Sequence, residues 1–274
     1  MLVDYHMHLR DRPEDGGPGH YSADRAELYV ERARVERVDE IGFTDHVYHF
    51  RQTKALWEIP WMLERCTDDL DEYVDAVLEA KRRGLPVKLG LEVDYFPGNE
   101  RELTELLAPY PWDYVLGSVH FVDGFAVDQE PGLVHRVPVA EAWRRYFVWV
   151  RNAARSGLFD SLSHPDLIKF FGSRAADEET HYLHAETADA IEAAGVCVEV
   201  SAAGMHKPVG ELYPDRELLE ACRERGVPIT LASDAHEPAH VGRDVERAAA
   251  LARAVGYETV TLFDRRERRQ EPLG

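Results

Sequence analysis

The fold of the chain is decided by a stretch near its start, Leu2-Val3-Asp4-Tyr5-His6-Met7-His8. It predicts a short buried strand that ends in two histidines one residue apart. Side chains alternate between the two faces of a strand, so His6 and His8 point the same way. Two imidazoles on one face at the end of a strand make half of a metal site. Two surface histidines behind an initial methionine are the alternative, and this stretch alone does not decide between them.

Size and composition favour one globular α/β domain. A chain of 274 residues is long for an average domain but ordinary for an α/β barrel. Hydrophobic residues make up 45% of the chain, which is enough to form a full core. The formal net charge of −19 repels phosphate at long range. We therefore expect neither nucleic acid nor an anionic membrane as a partner.

The cysteines and the absence of a long apolar run predict a cytoplasmic protein. Cys66, Cys197 and Cys222 are widely spaced and form no CxxC pair. This usage is typical of buried thiols in a reducing compartment. The sequence has no basic-then-apolar leader, and no apolar run approaches the roughly 20 residues that a membrane helix needs.

Predicted strands and helices alternate along the chain with little between them. Strands are predicted at 2–8, 40–45, 86–93, 114–120, 159–164, 196–201 and 228–233, with 257–263 as an eighth candidate. Helices are predicted at 23–37, 68–83, 99–108, 139–155, 177–194, 215–225 and 243–255, the first of them capped by Ser22. Such units imply a parallel sheet with right-handed crossovers, and seven or eight of them close most naturally into a barrel.

The segments between these elements are also informative. Loops 10–21, 48–67 and 121–138 are candidates for shaping a substrate site, because barrel active sites are built from the loops that follow the strands. The charged residues 264–274 predict a frayed, flexible tail.

Side chains that can bind metal recur at the ends of the predicted strands. They are His6, His8, His46, Glu92, His120, His164, Asp234 and His236. All of them would meet at the C-terminal rim of a barrel, where barrel enzymes carry their active sites. One such histidine is more often a core or surface residue than a ligand. Their shared position at strand ends favours a metal site.

The donor set predicts the metals and the reaction. Nitrogen and oxygen donors without thiolates suit Zn, Mn or Fe, and eight or nine donors exceed what one ion needs. We therefore predict two or three divalent metal ions that share a bridging carboxylate. Such ions clamp both oxygens of an in-line displacement and acidify a water between them. The sequence has no other nucleophile motif, so hydrolysis of a phosphoester fits these residues best.

Six segments, taken in order, resemble the motifs of the PHP (polymerase and histidinol phosphatase) superfamily. They are His6-Met7-His8, Thr44-Asp45-His46, Gly90-Leu91-Glu92-Val93-Asp94, Gly117-Ser118-Val119-His120, His164-Pro165-Asp166-Leu167-Ile168-Lys169 and Ser233-Asp234-Ala235-His236. Ala203-Gly204 with Gly210-Glu211-Leu212-Tyr213-Pro214 resembles the histidinol-phosphatase branch. The resemblance implies a distorted (β/α)7 barrel, which we expect to be a single domain over residues 1–274. It also implies a trinuclear metal centre and hydrolysis of L-histidinol phosphate in histidine biosynthesis.

The resemblance further implies how the ligands divide among three ions. The three sets are His6, His8, Glu92 and Asp234 for the first ion, the bridging Glu92 with His120 and His164 for the second, and His46 with His236 for the third. Family members normally complete the third set with a histidine shortly after the first pair. His20 is the nearest candidate, at a longer spacing than usual, and Asp11 or Asp15 could substitute for it.

Catalytic and phosphate-binding residues are predicted beside this ligand set. Glu92 and Asp234 are expected to act in catalysis, and His206 can protonate the leaving alkoxide. Lys207 can hold phosphate as a point charge, in a place where the branch often has an arginine. Further phosphate candidates are Arg51 and Arg243. Asp45 and Asp166, next to ligands in the chain, are expected to orient imidazoles.

Three other functions compete with that of a histidinol-phosphatase. A PHP phosphoesterase could act on another small phosphate ester or on a nucleotide. A barrel that binds metal without catalysis is disfavoured by the nearly complete ligand set. Amidohydrolases also open with His-x-His, but they typically add a bridging lysine and a lone aspartate. In this chain Glu92 takes the bridging place, and Asp234 is paired with His236. The metal's identity and the oligomeric state stay open.

Overall fold

The computed structural model describes residues 1–11, 18–130 and 132–274. The strands are β1 (Val3–Asp4), β2 (Glu40–Phe43), β3 (Val87–Leu89), β4 (Glu92–Asp94), β5 (Leu116–Ser118), β6 (Phe121–Val122), β7 (Phe125–Ala126), β8 (Ser161–Leu162), β9 (Cys197–Ser201), β10 (Ile229–Ala232), β11 (Thr259–Asp264) and β12 (Glu267–Pro272). The helices are α1 (Ala23–Val35), α2 (Pro60–Leu63), α3 (Leu70–Arg82), α4 (Glu100–Leu107), α5 (Val139–Arg155), α6 (Asp177–Ala194), α7 (Arg216–Glu224) and α8 (Val245–Val255).

The parallel strands form a ring. β1, β2 and β3 pair in one sheet, and β4, β5, β8, β9 and β10 pair in another. β4 continues the path of β3, since Gly90 N donates to Phe43 O at 2.8 Å and Glu92 N donates to Asp45 O at 3.2 Å along the extension of β2.

Backbone hydrogen bonds between the first and last barrel strands close this ring. Tyr5 N donates to Leu231 O at 3.0 Å, and His8 N donates to Ala235 O at 2.8 Å. With β3 and β4 counted as one interrupted strand, the described residues form the predicted distorted (β/α)7 barrel.

The helices form where the sequence supplies caps and an apolar face. Ser22 caps α1 as predicted, its hydroxyl accepting from Arg25 N at 3.1 Å. α5 buries Trp143, Phe147 and Val150, whose spacing places them on one face of the helix. None of the helices in the described part of the chain is both long and apolar enough to cross a membrane.

Aromatic side chains fill the barrel at the N-terminal ends of its strands. Tyr114 is fully buried, and its hydroxyl donates to Tyr5 O at 2.7 Å. A Cβ atom at Gly42 would lie 2.1 Å from that hydroxyl, and one at Gly90 would lie 2.7 Å from the same ring. Glycine at these two positions therefore leaves the space that the tyrosine needs.

The C-terminal segment differs from its prediction. β11 is not an eighth barrel strand, because it pairs antiparallel with β12 in a separate hairpin. Phe263 of this hairpin stacks on Tyr114, with ring centroids 5.2 Å apart. Residues 267–272 are thus a strand and not part of a frayed tail. Their charged side chains are mostly exposed, and backbone pairing with β11 holds the segment in place.

The loops that were expected to shape a substrate site contain short ordered elements. Residues 48–67 include 3-10 turns and α2, and 121–138 include the β6–β7 hairpin. In loop 10–21 the backbones of Asp11 and His20 pair across the segment. Asp15, one of the alternative ligands, lies outside the described residues.

Candidate metal centre

The predicted metal-binding residues come together at the C-terminal rim of the barrel. They are His6 and His8 after β1, His46 after β2, Glu92 in β4, His120 after β5, His164 after β8, and Asp234 and His236 after β10. The carboxyl ends of parallel strands meet at one edge, which explains the convergence. Asp234 and His236 are partly buried, and the other six are buried.

Glu92 lies at the centre of the cluster with a fully buried side chain. Its Oε2 is 2.6 Å from His46 Nδ1 and 3.2 Å from His6 Nε2. Its Oε1 is 3.1 Å from His164 Nε2 and 3.4 Å from His120 Nε2. The two oxygens therefore face two different pairs of imidazoles, which is the arrangement that a bridging carboxylate requires.

Asp234 supplies a second carboxylate on another side of the cluster. Its Oδ1 is 3.2 Å from His8 Nε2 and 3.8 Å from His6 Nε2. His236 Nδ1 lies 3.6 Å from the same oxygen. This oxygen can thus share an ion with either histidine of the opening strand.

Groups of three donors lie close enough to hold an ion, with ligand atoms within 4.8 Å of one another. Among the described residues these groups are His6, His8 and Asp234; His6, Glu92 and His164; His46, Glu92 and His120; and His8, His46 and His236. Because the groups share members, they form one cluster. The first group contains three of the four residues predicted for the first ion, and the last group contains the pair predicted for the third. The division of these residues among the ions stays a prediction.

The structure does not bring His20 into this cluster. Its side chain is exposed, and its backbone N donates to Asp11 O at 3.2 Å. Within the described ranges, neither residue belongs to any of the donor groups. A role for His20 as a metal ligand stays a prediction.

Several buried polar atoms in the cluster lack hydrogen-bond partners in the described part of the chain. They are His6 Nε2, His8 Nδ1, His46 Nδ1, His164 Nδ1 and Glu92 Oε2. His46 Nδ1 and Glu92 Oε2 are 2.6 Å apart, but they do not have hydrogen-bond geometry. An unpaired buried polar atom costs about 1–3 kcal/mol, and a cation would satisfy several of them at once. The cluster therefore fits divalent metal ions.

The pKa shifts of two candidate ligands, His8 and Glu92, suit metal binding. Burial, followed by the neighbouring His236 and His46, lowers the pKa of His8 well below its usual value, which leaves a neutral donor. Burial alone would raise the pKa of Glu92. The imidazoles around it, led by those of His46 and His6, hold that pKa well below its ordinary value. The central carboxylate is therefore ionised.

Further carboxylates orient two of the imidazoles. His6 Nδ1 is 2.8 Å from Glu199 Oε2, and His120 Nδ1 is 2.8 Å from Asp94 Oδ1. With Nδ1 held in this way, the Nε2 atom of each ring faces Glu92. Glu199 is absent from the predicted site, although a lone carboxylate within the apolar strand β9 is a signal of such a role.

Asp45 and Asp166 do not orient imidazoles, contrary to the prediction. Asp45 accepts from Leu9 N at 2.7 Å and from Arg10 N at 3.1 Å. Asp166 pairs with Lys169 Nζ at 2.8 Å. Asp45 is the immediate neighbour of His46 in an extended segment, so its side chain points away from that imidazole. Asp166 lies two residues after His164 and also accepts from Asp215 N at 2.8 Å, so it fixes a neighbouring loop instead.

A cavity of about 570 Å³ opens over the cluster. Candidate ligands that line it are His46, His120, His164, Asp234 and His236. Aromatic residues in its wall are Tyr48, Trp61, Phe121, Phe170 and Tyr213, and charged ones are Arg10, Glu64, Arg65, Asp128 and Lys207. This volume is typical of a small-molecule site.

Two of the three predicted phosphate-binding residues lie at this rim. Lys207 lines the cavity and also an adjoining one of about 410 Å³, which Arg243 lines too. Arg51 lines neither cavity. Its side chain is 56% exposed, and its guanidinium pairs with Asp69 at 2.5 Å near the start of α3. The structure therefore does not bring Arg51 to the metal cluster.

His206 borders the adjoining cavity together with Asp234 and His236. Its Nε2 is 2.8 Å from Asp244 Oδ2, and its side chain is 31% exposed. The residue is thus near the cluster and open to solvent. Its role as a proton donor stays a prediction.

The family is identified from residues 19–203, which match the PHP domain. This match covers more than half of the chain, so the protein belongs to the PHP domain family. A relative from Deinococcus radiodurans, named "Probable histidinol-phosphatase", is 36% identical over 250 residues, which cover 89% of this chain and 91% of the relative. The histidinol-phosphatase of Bacillus subtilis is 24% identical over 249 residues, which cover 81% and 91% of the two chains.

A solved structure has the same fold. It is the histidinol phosphate phosphatase of Lactococcus lactis subsp. lactis, complexed with zinc, L-histidinol and phosphate. The TM-score is 0.77 at 20% identity, and the match covers 98% of each chain. At this identity the similarity shows the fold, in agreement with the closed ring of parallel strands.

Proposed function

We propose that this protein is a metal-dependent phosphomonoesterase that hydrolyses L-histidinol phosphate to L-histidinol and phosphate. The observation that carries this proposal is the convergence of histidines and carboxylates around Glu92, beneath a cavity sized for a small ester. Membership of the PHP domain family supports it, as does the similarity to the Deinococcus radiodurans relative. A protein of the same fold has been crystallised with zinc, L-histidinol and phosphate.

The cofactors that we propose are two or three divalent metal ions per chain. Zinc is the first candidate because the Lactococcus lactis protein contains it, and manganese and iron suit the same donors. When bound, such ions polarise phosphoryl oxygens and lower the pKa of water. Glu92, His6 and Asp234 would hold them through the oxygen and nitrogen atoms that face the centre of the cluster.

The chain's own residues would bind and orient the ester. Lys207, at the rim, is a positive charge for a phosphate oxygen. The aromatic wall, which includes Trp61 and Phe121, offers a flat surface against an imidazole and excludes water. His206 would donate a proton to the oxygen of the leaving alcohol. In this assignment the phosphate, the imidazole and the leaving oxygen of L-histidinol phosphate each have a group of the protein that would bind them.

A substrate panel tests the proposal. Phosphate release is measured from L-histidinol phosphate, several sugar phosphates and nucleotides, with the zinc-loaded protein. We expect kcat/KM for L-histidinol phosphate to exceed the others by roughly 100-fold, because polar groups in the site would lack partners with the other substrates. A preference for another small phosphate or a nucleotide would favour the alternative phosphoesterase. Release from none of them would contradict both functions.

The cytoplasm is the compartment that we propose, without nucleic acid or membrane as a partner. Cys66, Cys197 and Cys222 are buried free thiols, as a reducing compartment favours. The net charge of −19 repels phosphate polymers. Fractionation of cells that produce the protein should recover it with cytoplasmic markers, and recovery with membranes or culture medium would contradict this.

A further inference from the structure

We propose that Asp128 recognises an ammonium group on the substrate and so selects aminoalkyl phosphates over uncharged esters. This inference rests on the proposed function, because it assigns a residue to the organic part of the phosphate ester. Asp128 lines the cavity that opens over the metal cluster. It follows the β6–β7 hairpin in loop 121–138.

The backbone places Asp128 next to the cluster. The preceding residue, Val127, donates its N–H to His120 O at 2.9 Å. This hydrogen bond joins the end of the hairpin to His120, which is one of the predicted metal ligands.

One oxygen of this carboxylate is unused. Oδ1 of Asp128 is buried and has no hydrogen-bond partner among the described residues. A buried carboxylate oxygen without a donor is unfavourable, so a donor from a bound molecule would stabilise it. An unpaired acceptor of this kind favours a ligand that donates hydrogen bonds, and a carboxylate pairs best with a cation.

The metal cluster does not account for Asp128. Within the described chain it belongs to none of the donor groups. His120 does not need it for orientation, because its Nδ1 is already 2.8 Å from Asp94 Oδ1 and its Nε2 faces Glu92. Asp128 is therefore available for the organic part of a substrate.

Basic residues in the cavity wall are partly engaged elsewhere. Arg10 Nε is 2.5 Å from Asp68 Oδ2. Arg65 lies over the Trp61 ring at 3.7 Å and donates to the carbonyl oxygen of that residue at 2.9 Å. Of the two carboxylates in the wall outside the cluster, Glu64 is exposed and Asp128 is partly buried. The cavity thus presents a partly buried negative charge at Asp128 as well as the positive charge of Lys207.

The chemistry of the proposed substrate matches this pair of charges. L-Histidinol phosphate carries an ammonium group on the carbon next to the one that bears the phosphate. When the phosphate lies at the metal cluster, the ammonium is therefore held near its edge. A charged hydrogen bond to Asp128 would favour such esters over uncharged sugar phosphates by roughly 10- to 100-fold.

Asp128→Asn in the zinc-loaded enzyme tests the inference. The two substrates are L-histidinol phosphate and its analogue with hydrogen in place of the ammonium group. We expect the variant to lose roughly 10- to 100-fold in kcat/KM on L-histidinol phosphate, mainly through KM, and to match the wild type on the analogue. Glu130→Gln is the matched control, since Glu130 is exposed nearby and lines neither of the two cavities at the cluster. Its kinetics should not change.

Several results would overturn the assignment. Equal losses on both substrates, or a lower metal content by elemental analysis, would show that Asp128 acts on the cluster or the fold. The assignment also fails if wild-type enzyme does not discriminate between the substrates. It fails likewise if the Asn variant keeps the preference for the ammonium ester.

Failure of the proposed function would be distinguishable from these results. In that case the wild type would not release phosphate from L-histidinol phosphate but would act on other esters. Ethanolamine phosphate and ethyl phosphate then serve as the pair with and without ammonium. A preference for ethanolamine phosphate that is lost in the Asn variant would support the role of Asp128, and an unchanged ratio would contradict it.

Discussion

Replacing Glu92 with glutamine removes the charge from the centre of the metal cluster while keeping the shape of the side chain. The two carboxylate oxygens face His46 Nδ1 at 2.6 Å and His164 Nε2 at 3.1 Å. In Glu92→Gln an amide NH₂ replaces one of the two carboxylate oxygens, and this group donates hydrogen bonds and does not bind a cation. One side of the bridge is therefore lost.

The expected loss follows from the number of donor groups that contain Glu92. It belongs to one group with His6 and His164 and to another with His46 and His120. Even a residue that only supports a metal ligand contributes about 10- to 100-fold to metal affinity. If two ions each lose this much, the combined affinity falls roughly 100- to 10,000-fold, or about 3 to 5.5 kcal/mol.

The assay combines elemental analysis with phosphate release from L-histidinol phosphate. We expect fewer metal ions per chain than in the wild type and a loss of about 1000-fold or more in kcat/KM, with the same direction for Glu92→Ala. Glu100→Gln is the control, because Glu100 accepts from Tyr95 Oη at 2.8 Å and from Gly98 N at 2.9 Å, away from the donor groups. Full metal content with retained activity in Glu92→Gln would refute the bridging role.

Four further substitutions test the site and the barrel. In steady-state kinetics Lys207→Ala should raise KM about 10-fold through the lost phosphate contact. Arg51→Ala should leave KM unchanged, because Arg51 does not line the cavity. Equal effects of the two substitutions would contradict a phosphate contact by Lys207 alone. Lys169→Met leaves Asp166 buried without the cation that lies 2.8 Å away, so urea denaturation should show a loss of about 3–5 kcal/mol in the free energy of unfolding. A loss below about 1 kcal/mol would fit an exposed pair instead. Gly42→Ala places a Cβ atom 2.1 Å from the buried hydroxyl of Tyr114, so it should lower the free energy of unfolding by about 1–3 kcal/mol. An unchanged midpoint of urea denaturation would contradict tight packing of the barrel interior.

Much of the fold could be predicted because its signals are local. The helices predicted at 139–155 and 177–194 have these bounds in the structure, since apolar spacing and flanking residues define them. The predicted strand 86–93 is interrupted at Gly90 and Leu91. The C-terminal hairpin escaped prediction because the charged residues of β12 carry no local sign of their antiparallel partner.

The convergence of the candidate metal ligands could be predicted because topology brings strand ends together. Residues that depend on tertiary contacts could not be predicted in this way. Glu199 acts on His6 across the barrel, and Asp128 reaches the cavity from a loop whose path no local pattern defines. Arg51 is a plausible phosphate ligand by residue type, but its guanidinium pairs with Asp69.

The role of the metal cluster is tested most directly by titrating metal-free protein with zinc while following phosphate release from L-histidinol phosphate. We predict no activity in the metal-free protein and full activity when two or three ions are bound per chain. Substantial turnover by the metal-free protein, or full activity with one bound ion per chain, would contradict a shared centre built around Glu92.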